Sequence, residues 1–255
     1  MKRRARPKPS RSPAGGAKRK AFSSSTFPAF AGPLFSGWPS VSDRRHPVRA
    51  PIRITFLPID ARGGVTGRIA GSIAPGKRGI GLSGIVHDRD LDSDVRRLRD
   101  DLGVDIFVTL VEPRELVAWC IPDLLVKAQQ RGMIVRHYPI PDRGAPPTPD
   151  APAPLIAEIV SALREGKTTI VSCVGGLGRT GTILAATLMS IGYEREEAMR
   201  MVRAARPGAI ETQTQEAWLI TWEAWLASPA GARFSAQVAQ PTEDGRSPGG
   251  TGGRP

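Results

Sequence analysis

Residues 168–192, TTIVSCVGGLGRTGTILAATLMSIG, constrain this chain more than any other stretch. A β-branched run from Thr168 to Val171 leads into Cys173. Glycines 175, 176, 178 and 181 then surround Arg179, and an apolar pattern of helical period follows. Strand, tight glycine loop and helix N-terminus is the order in which backbone N–H groups and a helix dipole make an anion cradle. A cysteine opens the loop and an arginine closes it, so the cradle holds a nucleophile and a bidentate clamp for phosphate. The cysteine–arginine spacing alone is weak support. Its place between strand and helix, its glycine filling and the Thr180 that follows supply what the chemistry needs.

The pattern around this stretch is regular. IRITFL at residues 52–57 reads as a strand, and residues 62–84 as a small glycine-rich β-layer without chemistry of its own. Leu91, Val95, Leu98 and Leu102 repeat at helical intervals up to a stop at Gly103. Residues 104–110 form an apolar run of strand length, and residues 113–131 a helical pattern that Pro122 must interrupt. A strand is predicted at 133–140, a proline-rich loop at 139–154, and a helix carrying Leu155, Ile156, Ile159, Val160 and Leu163. Two further helices are predicted at 194–206 and 212–227. Strands alternating with helices imply an α/β protein with a central, mostly parallel sheet flanked by helices. The loop after strand 168–172 then lies at a strand C-terminus, where such sheets place ligands.

Composition sets the outer limits. Residues 1–50 hold twelve Lys/Arg and one acid, Asp43, which leaves the other 205 residues with a net charge of only +1. The basic character therefore belongs to a tail that reads as a disordered, solvated extension. No aromatic–basic interleaving marks a nucleic-acid module, so nucleic acid is not an expected partner of the domain. The run FPAFAGPLFSGW at 27–38 is the one part of the tail that could dock. Residues 228–255 read as a second disordered, Gly/Pro-rich tail, leaving one domain at 51–227. No run reaches the ~18 apolar residues of a membrane span, and no secretory apolar region is present. Two cysteines give no disulfide framework. A soluble, cytoplasmic monomer without metal or cofactor is the expectation. His87 and His137 fall on different elements, and Cys120 reads as a core residue.

The run from Cys173 to Gly181 resembles the signature of cysteine-dependent protein tyrosine and dual-specificity phosphatases. The likeness extends over roughly residues 80–225 through Asp105-Ile-Phe-Val108, Glu115-Leu, Pro122-Asp-Leu-Leu125, His137-Tyr-Pro-Ile-Pro-Asp142 and Gly208-Ala-Ile-Glu-Thr212. It is greatest toward the kinase-associated phosphatase branch, the cyclin-dependent kinase inhibitor 3 type. The resemblance implies the phosphotyrosine protein phosphatase fold and attack by the Cys173 thiolate on phosphorus. Val174, Gly175, Gly176, Leu177, Gly178 and Arg179 would cradle the phosphate, and Thr180 would hydrogen-bond the sulfur. Asp142, 31 residues before Cys173 in a proline-rich loop, would be the general acid. Gln215 resembles a glutamine that orients the hydrolytic water, although Gln213 shares its helix. The family usually has His immediately before the cysteine. Here the residue is Ser172, which can still donate one hydrogen bond, and a difference in rate is expected from it.

The five positions between Cys173 and Arg179 are uncharged, which favours a singly phosphorylated protein side chain as substrate. Dual specificity toward phosphotyrosine and phosphoserine/threonine is expected, with a small phosphorylated metabolite as an alternative. A phosphate-binding pseudophosphatase is the competing class. Arsenate reductase and sulfurtransferase chemistries fit the upstream acid loop less well.

Overall fold

The cysteine loop grows from the middle of a five-stranded sheet in the computed structural model, which describes residues 50–81 and 84–239. With elements numbered in chain order, the sheet runs β1 (Thr55–Phe56), β2 (Arg68–Ile73), β7 (Thr168–Cys173), β5 (Ile106–Thr109), β6 (Ile134–His137). Only β1 is antiparallel to its neighbour; the other pairs are parallel. A separate hairpin joins β3 (Arg78–Ile80) to β4 (Val86–Asp88). Both sheet faces are buried, as the near-continuous apolar strands require. Ile69, Ile106, Val108 and Val171 point into one core, and Ala70, Phe107 and Ile170 into the other.

The first core is covered by α4 (Ala153–Arg164), α5 (Gly178–Ser190), α6 (Arg195–Ala205), α7 (Gln213–Leu226) and α8 (Pro229–Ala239). The second is covered by α1 (Leu91–Arg96), α2 (Pro113–Ala118) and α3 (Leu124–Gln130). This is the expected α/β architecture with a mostly parallel central sheet. Among the described residues no helix is long and apolar enough to cross a membrane.

Several local expectations change. The predicted strand 52–57 shortens to Thr55–Phe56 at the sheet edge, because Pro51 and Pro58 cannot donate to a ladder. Residues 62–84 do not form a layer of their own. β2 joins the central sheet beside β7, and only β3 and β4 stand apart. The helix expected from Leu91 narrows to α1 and continues as a wider π-type turn, Arg97–Asp101, before Gly103 takes a φ of 65°. The break at Pro122 is present, but Cys120 is exposed rather than in the core. It adopts a φ of 58° to reverse the chain after α2, which turns Ile121 fully inward in its place.

The disorder expected from residue 228 is replaced by α8 as far as Ala239. Ser228 Oγ accepts from Gly231 N–H at 3.2 Å, and Pro229 opens the helix. Phe234 and Val238, one turn apart, are buried against the tryptophans of α7. Phe234 meets Trp222 edge-on at 5.7 Å and Trp225 at 5.3 Å. A run rich in alanine folds here because that aromatic shelf gives it something to bury. The basic segment 1–49, with its run at 27–38, and the residues after 239 lie outside the described residues.

The hairpin carries a titratable group with a consequence for stability. Nδ1 of His87 on β4 is buried without a hydrogen-bond partner among the described residues. Burial, with Lys77 and Arg89 nearby, pushes the imidazole pKa down from 6.5 to about 4. Between those values the unfolded chain holds the extra proton, so stability rises with pH through that window. The contribution is complete above pH 6.5 and lost as pH falls toward 4. Because the imidazole is partly exposed, screening limits it to about 1 kcal/mol. Denaturant midpoints at about pH 5 and about pH 7.5 should differ less in His87→Gln than in the native chain. An unchanged difference would remove His87 as its source.

Candidate active site

Cys173 is the last residue of β7 and is 3% exposed. Its sulfur accepts the Gly176 N–H at 3.2 Å. Gly176 has a φ of 68°, and a Cβ there would stand 2.3 Å from the Ser72 carbonyl oxygen, so only glycine fits where the loop curls against β2. Arg206, at the end of α6, braces the same curve. Its Nε donates to the Gly176 carbonyl at 2.5 Å and its Nη1 to the Gly71 carbonyl at 3.0 Å. Gly71 must lack a side chain for this approach, since a Cβ would sit 2.8 Å from Arg206 Cδ.

Arg179, in the first turn of α5, is 2% exposed and almost fully engaged. Nη1 and Nη2 donate to the two carboxylate oxygens of Glu115 at 2.6 and 2.9 Å. Nη1 also donates to the Ile140 carbonyl at 2.9 Å, and Nη2 to Asp142 Oδ1 at 2.9 Å. Of its five N–H donors, Nε–H has no protein acceptor among the described residues. Glu115 takes its place from a local rule of helix initiation. Glu112-Pro113-Arg114-Glu115 starts α2 with proline at N1, and the Glu112 N–H donates to Glu115 Oε2 at 2.8 Å. In Glu115→Ala the guanidinium would remain buried without its main counter-charge, at a cost of about 3 kcal/mol in chemical denaturation. A loss below about 0.5 kcal/mol would show the pair to be dispensable.

The structure brings Asp142 to Arg179 and hence to the cysteine loop. Ile140 anchors the acid loop, fully buried, with its N–H on the Leu110 carbonyl at 3.1 Å. Two contacts from the start of α7 hold the other side: Thr212 Oγ1 donates to the Arg143 carbonyl at 3.1 Å and Gln215 Nε2 to the Gly144 carbonyl at 3.0 Å. The Asp142 side chain itself is 56% exposed.

Three expectations meet a different geometry. The Thr180 hydroxyl is buried without a partner among the described residues and does not reach the Cys173 sulfur. Its methyl is turned to Gly71, 2.9 Å from where a Cβ would be. Gln215 is fully buried, and its amide is spent on backbone. Oε1 accepts from Glu211 and Thr212 N–H at 2.8 and 3.3 Å, while Nε2 holds the acid loop. This arrangement braces the acid loop and commits one of the two Nε2 N–H donors to it, with the amide packed against Gly178 of the cysteine loop. Within the expected cradle, Gly178 N–H is bonded to Glu211 Oε2 at 2.8 Å. Gln213 is exposed.

Ser172 is fully buried, and its Oγ is also unpartnered. It lies in register with Ser72 on β2 and Thr109 on β5, a row of hydroxyl residues one step below Cys173. Glu115, Arg206 and Lys77 are the side chains that sequence reading did not place here. Glu115 stood only in the resemblance and Arg206 only as a helix end. Lys77 fell in a stretch assigned no chemistry, yet it is 5% exposed, and its ammonium lies within the field of both Cys173 and Asp142. No group of three or more potential ligands that could hold a metal occurs among the described residues.

Comparison with known proteins identifies the family. The family model described as cyclin-dependent kinase inhibitor 3 matches residues 42–195, which include Asp142 and the whole cysteine loop. Cyclin-dependent kinase inhibitor 3 of Rattus norvegicus is 32% identical over 152 residues, covering 58% of this chain and 70% of that protein. The Homo sapiens protein of the same name is 31% identical over 150 residues, with the same coverage. A crystal structure of kinase-associated phosphatase, with serine substituted for its catalytic-site cysteine, superposes with a TM-score of 0.62. It is 26% identical and covers 70% of this chain and 98% of that one. The active form of Tk-PTP superposes with a TM-score of 0.51 at 36% identity, covering 62% and 92%. The phosphotyrosine protein phosphatase fold, the cysteine loop in its expected place and these matches lead to one assignment: the chain belongs to the cyclin-dependent kinase inhibitor 3 family, among the protein tyrosine and dual-specificity phosphatase-like proteins.

Proposed function

We propose that this protein hydrolyses phosphomonoesters on protein side chains, phosphotyrosine and phosphoserine/threonine, through a cysteinyl-phosphate. The observation that carries this reading is the convergence on one arginine. Arg179 is oriented by Glu115 and by the Ile140 carbonyl, and it holds Asp142 beside the loop that begins at Cys173. An incoming phosphate would take the idle Nε–H and the Nη2 donor now held by Asp142, which form one edge of the guanidinium fork. Glu115 would keep the other edge. Binding of substrate would thereby release the Asp142 carboxyl for proton transfer.

In the first step the Cys173 thiolate attacks phosphorus. The S–P bond forms as the P–O ester bond breaks, and the leaving oxygen takes the proton of Asp142. In the second step water attacks the cysteinyl-phosphate and gives a proton back to the Asp142 carboxylate. The S–P bond then breaks, releasing phosphate and the thiolate. Arg179 and the loop N–H groups favour the charge of the transferring group throughout.

The relatives are named kinase-associated phosphatase and cyclin-dependent kinase inhibitor, which supports a phosphorylated protein as the partner. A second reading, a phosphate-binding protein of slow turnover, draws support from the unpartnered hydroxyls of Ser172 and Thr180 beside the cysteine. Incubation of the purified chain with an aryl phosphate separates the two. Turnover, with a phosphoryl adduct on the Cys173 peptide after acid quench, is expected. Phosphate binding without hydrolysis would favour the second reading.

A further inference from the structure

We propose that Lys77 is a second phosphate-binding side chain of this site, its ammonium placed to contact an oxygen of the phosphoryl group as that group lies between Cys173 and Asp142. The proposal rests on the phosphatase reading for the path of the phosphate, and on the following geometry for the lysine.

β2 runs parallel to β7 with Ile73 opposite Cys173, so the chain leaving β2 emerges beside the cradle. The Ala74 N–H reaches the Val174 carbonyl at 3.5 Å, and a turn closes with Lys77 N–H on the Ala74 carbonyl at 3.3 Å. Gly76 in this turn has a φ of 71°, and its N–H donates to Asp94 Oδ2 at 2.9 Å. Asp94 is itself held by a buried bidentate pair with Arg89, at 2.7 and 2.6 Å. The turn is therefore built from inside the protein rather than left as surface. From it the Lys77 stem runs inward and sets the ammonium 4.2 Å from the centre of the Trp119 ring.

The charges around Cys173 show what this cation is for. Three cations lie in its field: Arg179, Arg206 and Lys77. Arg179 is matched by the Glu115 carboxylate, charge for charge. Arg206 is spent on the carbonyls of Gly71 and Gly176. Lys77 alone of the three makes no ion pair and no side-chain hydrogen bond among the described residues, although it is 5% exposed. A buried ammonium without an acceptor is costly, and an aromatic face offsets only part of that cost. The anionic groups that act on it are Cys173 and Asp142, the two ends of the path a phosphoryl group would take, and His87 on the facing hairpin is neutral above about pH 4. A phosphate dianion placed between a thiolate and the Arg179–Glu115 pair would otherwise meet little net positive charge. Lys77 supplies it: burial lowers the pKa of the ammonium, and the charges of Cys173 and Asp142 oppose that shift and favour its charged form. The uncharged interior of the Cys173 loop thus has its missing cation delivered from another strand.

The probe is inorganic phosphate, titrated calorimetrically into the full chain, alongside aryl phosphate hydrolysis. Lys77→Met keeps the apolar stem over Trp119 and removes the charge. It should weaken phosphate binding by about 10- to 100-fold, the range of a charge-assisted hydrogen bond. Lys77→Arg should restore most of the affinity, which a packing role would not require. Lys77→Gln serves instead if the methionine variant does not fold. Unchanged phosphate affinity in a folded, uncharged variant would overturn the proposal. A native chain that binds phosphate through Lys77 without turnover would sink the phosphatase reading and uphold the contact. A native chain that binds no phosphate would overturn both.

Discussion

Cys173→Ser is expected to lower aryl phosphate hydrolysis by at least about 10⁴-fold, the scale of losing the nucleophile from a group of residues that act as a unit. The substitution changes one atom at the end of β7. The Gly176 N–H that now meets the sulfur at 3.2 Å can meet a hydroxyl instead, and Arg179 keeps all four of its protein contacts. What is lost is the sulfur nucleophile, for which an alcohol is no substitute in attack on phosphorus. The cradle should survive, so the variant should bind inorganic phosphate about as well as the native chain. The kinase-associated phosphatase structure, which carries serine at its own catalytic-site cysteine, superposes on this chain with a TM-score of 0.62. A variant that keeps the native rate would remove Cys173 from the chemistry, whatever its surroundings.

Asp142→Ala should behave differently. The expected loss is about 10²- to 10⁴-fold in kcat toward phosphoserine or phosphotyrosine peptides, the usual weight of a general acid. It should be smaller for an aryl ester whose leaving group departs without a proton. Phosphate affinity should hold or rise, because the carboxylate that now occupies Arg179 Nη2 is gone. Stability should change by less than about 0.5 kcal/mol, since the side chain is 56% exposed and its pair with Arg179 is one of four contacts there. The informative measurement is the ratio of kcat between good and poor leaving groups. Equal losses for both would show that Asp142 orients Arg179 but transfers no proton.

These variants separate residues that a linear reading finds from residues it cannot. The β7–loop–α5 unit was legible because its requirements are local. A strand must end, glycines must curl the backbone, and a helix must begin, all within a dozen residues. Asp142 was legible only through resemblance, since nothing in the spacing from 142 to 173 says that the two meet. The roles expected of Thr180 and Gln215 depend on side-chain rotation and on which polar groups compete nearby. There the structure leaves the Thr180 hydroxyl without a hydrogen-bond partner among the described residues and gives the Gln215 amide to backbone. Residues 229–239 went unread as a helix because Phe234 and Val238 make sense only against Trp222 and Trp225.

Residues 168–192 alone determined the strand, cysteine-led glycine loop and helix N-terminus from which the proposed anion cradle is built, because backbone conformation and helix polarity are encoded over a few neighbouring residues. Tertiary structure decided which charges face that cradle. The parallel register of β2 on β7 brings Lys77 to its rim, and the start of α2 brings Glu115 to Arg179. No periodicity ties residues 77, 115 and 173 together. Their meeting is a product of strand order, which is set by the burial of both sheet faces at once.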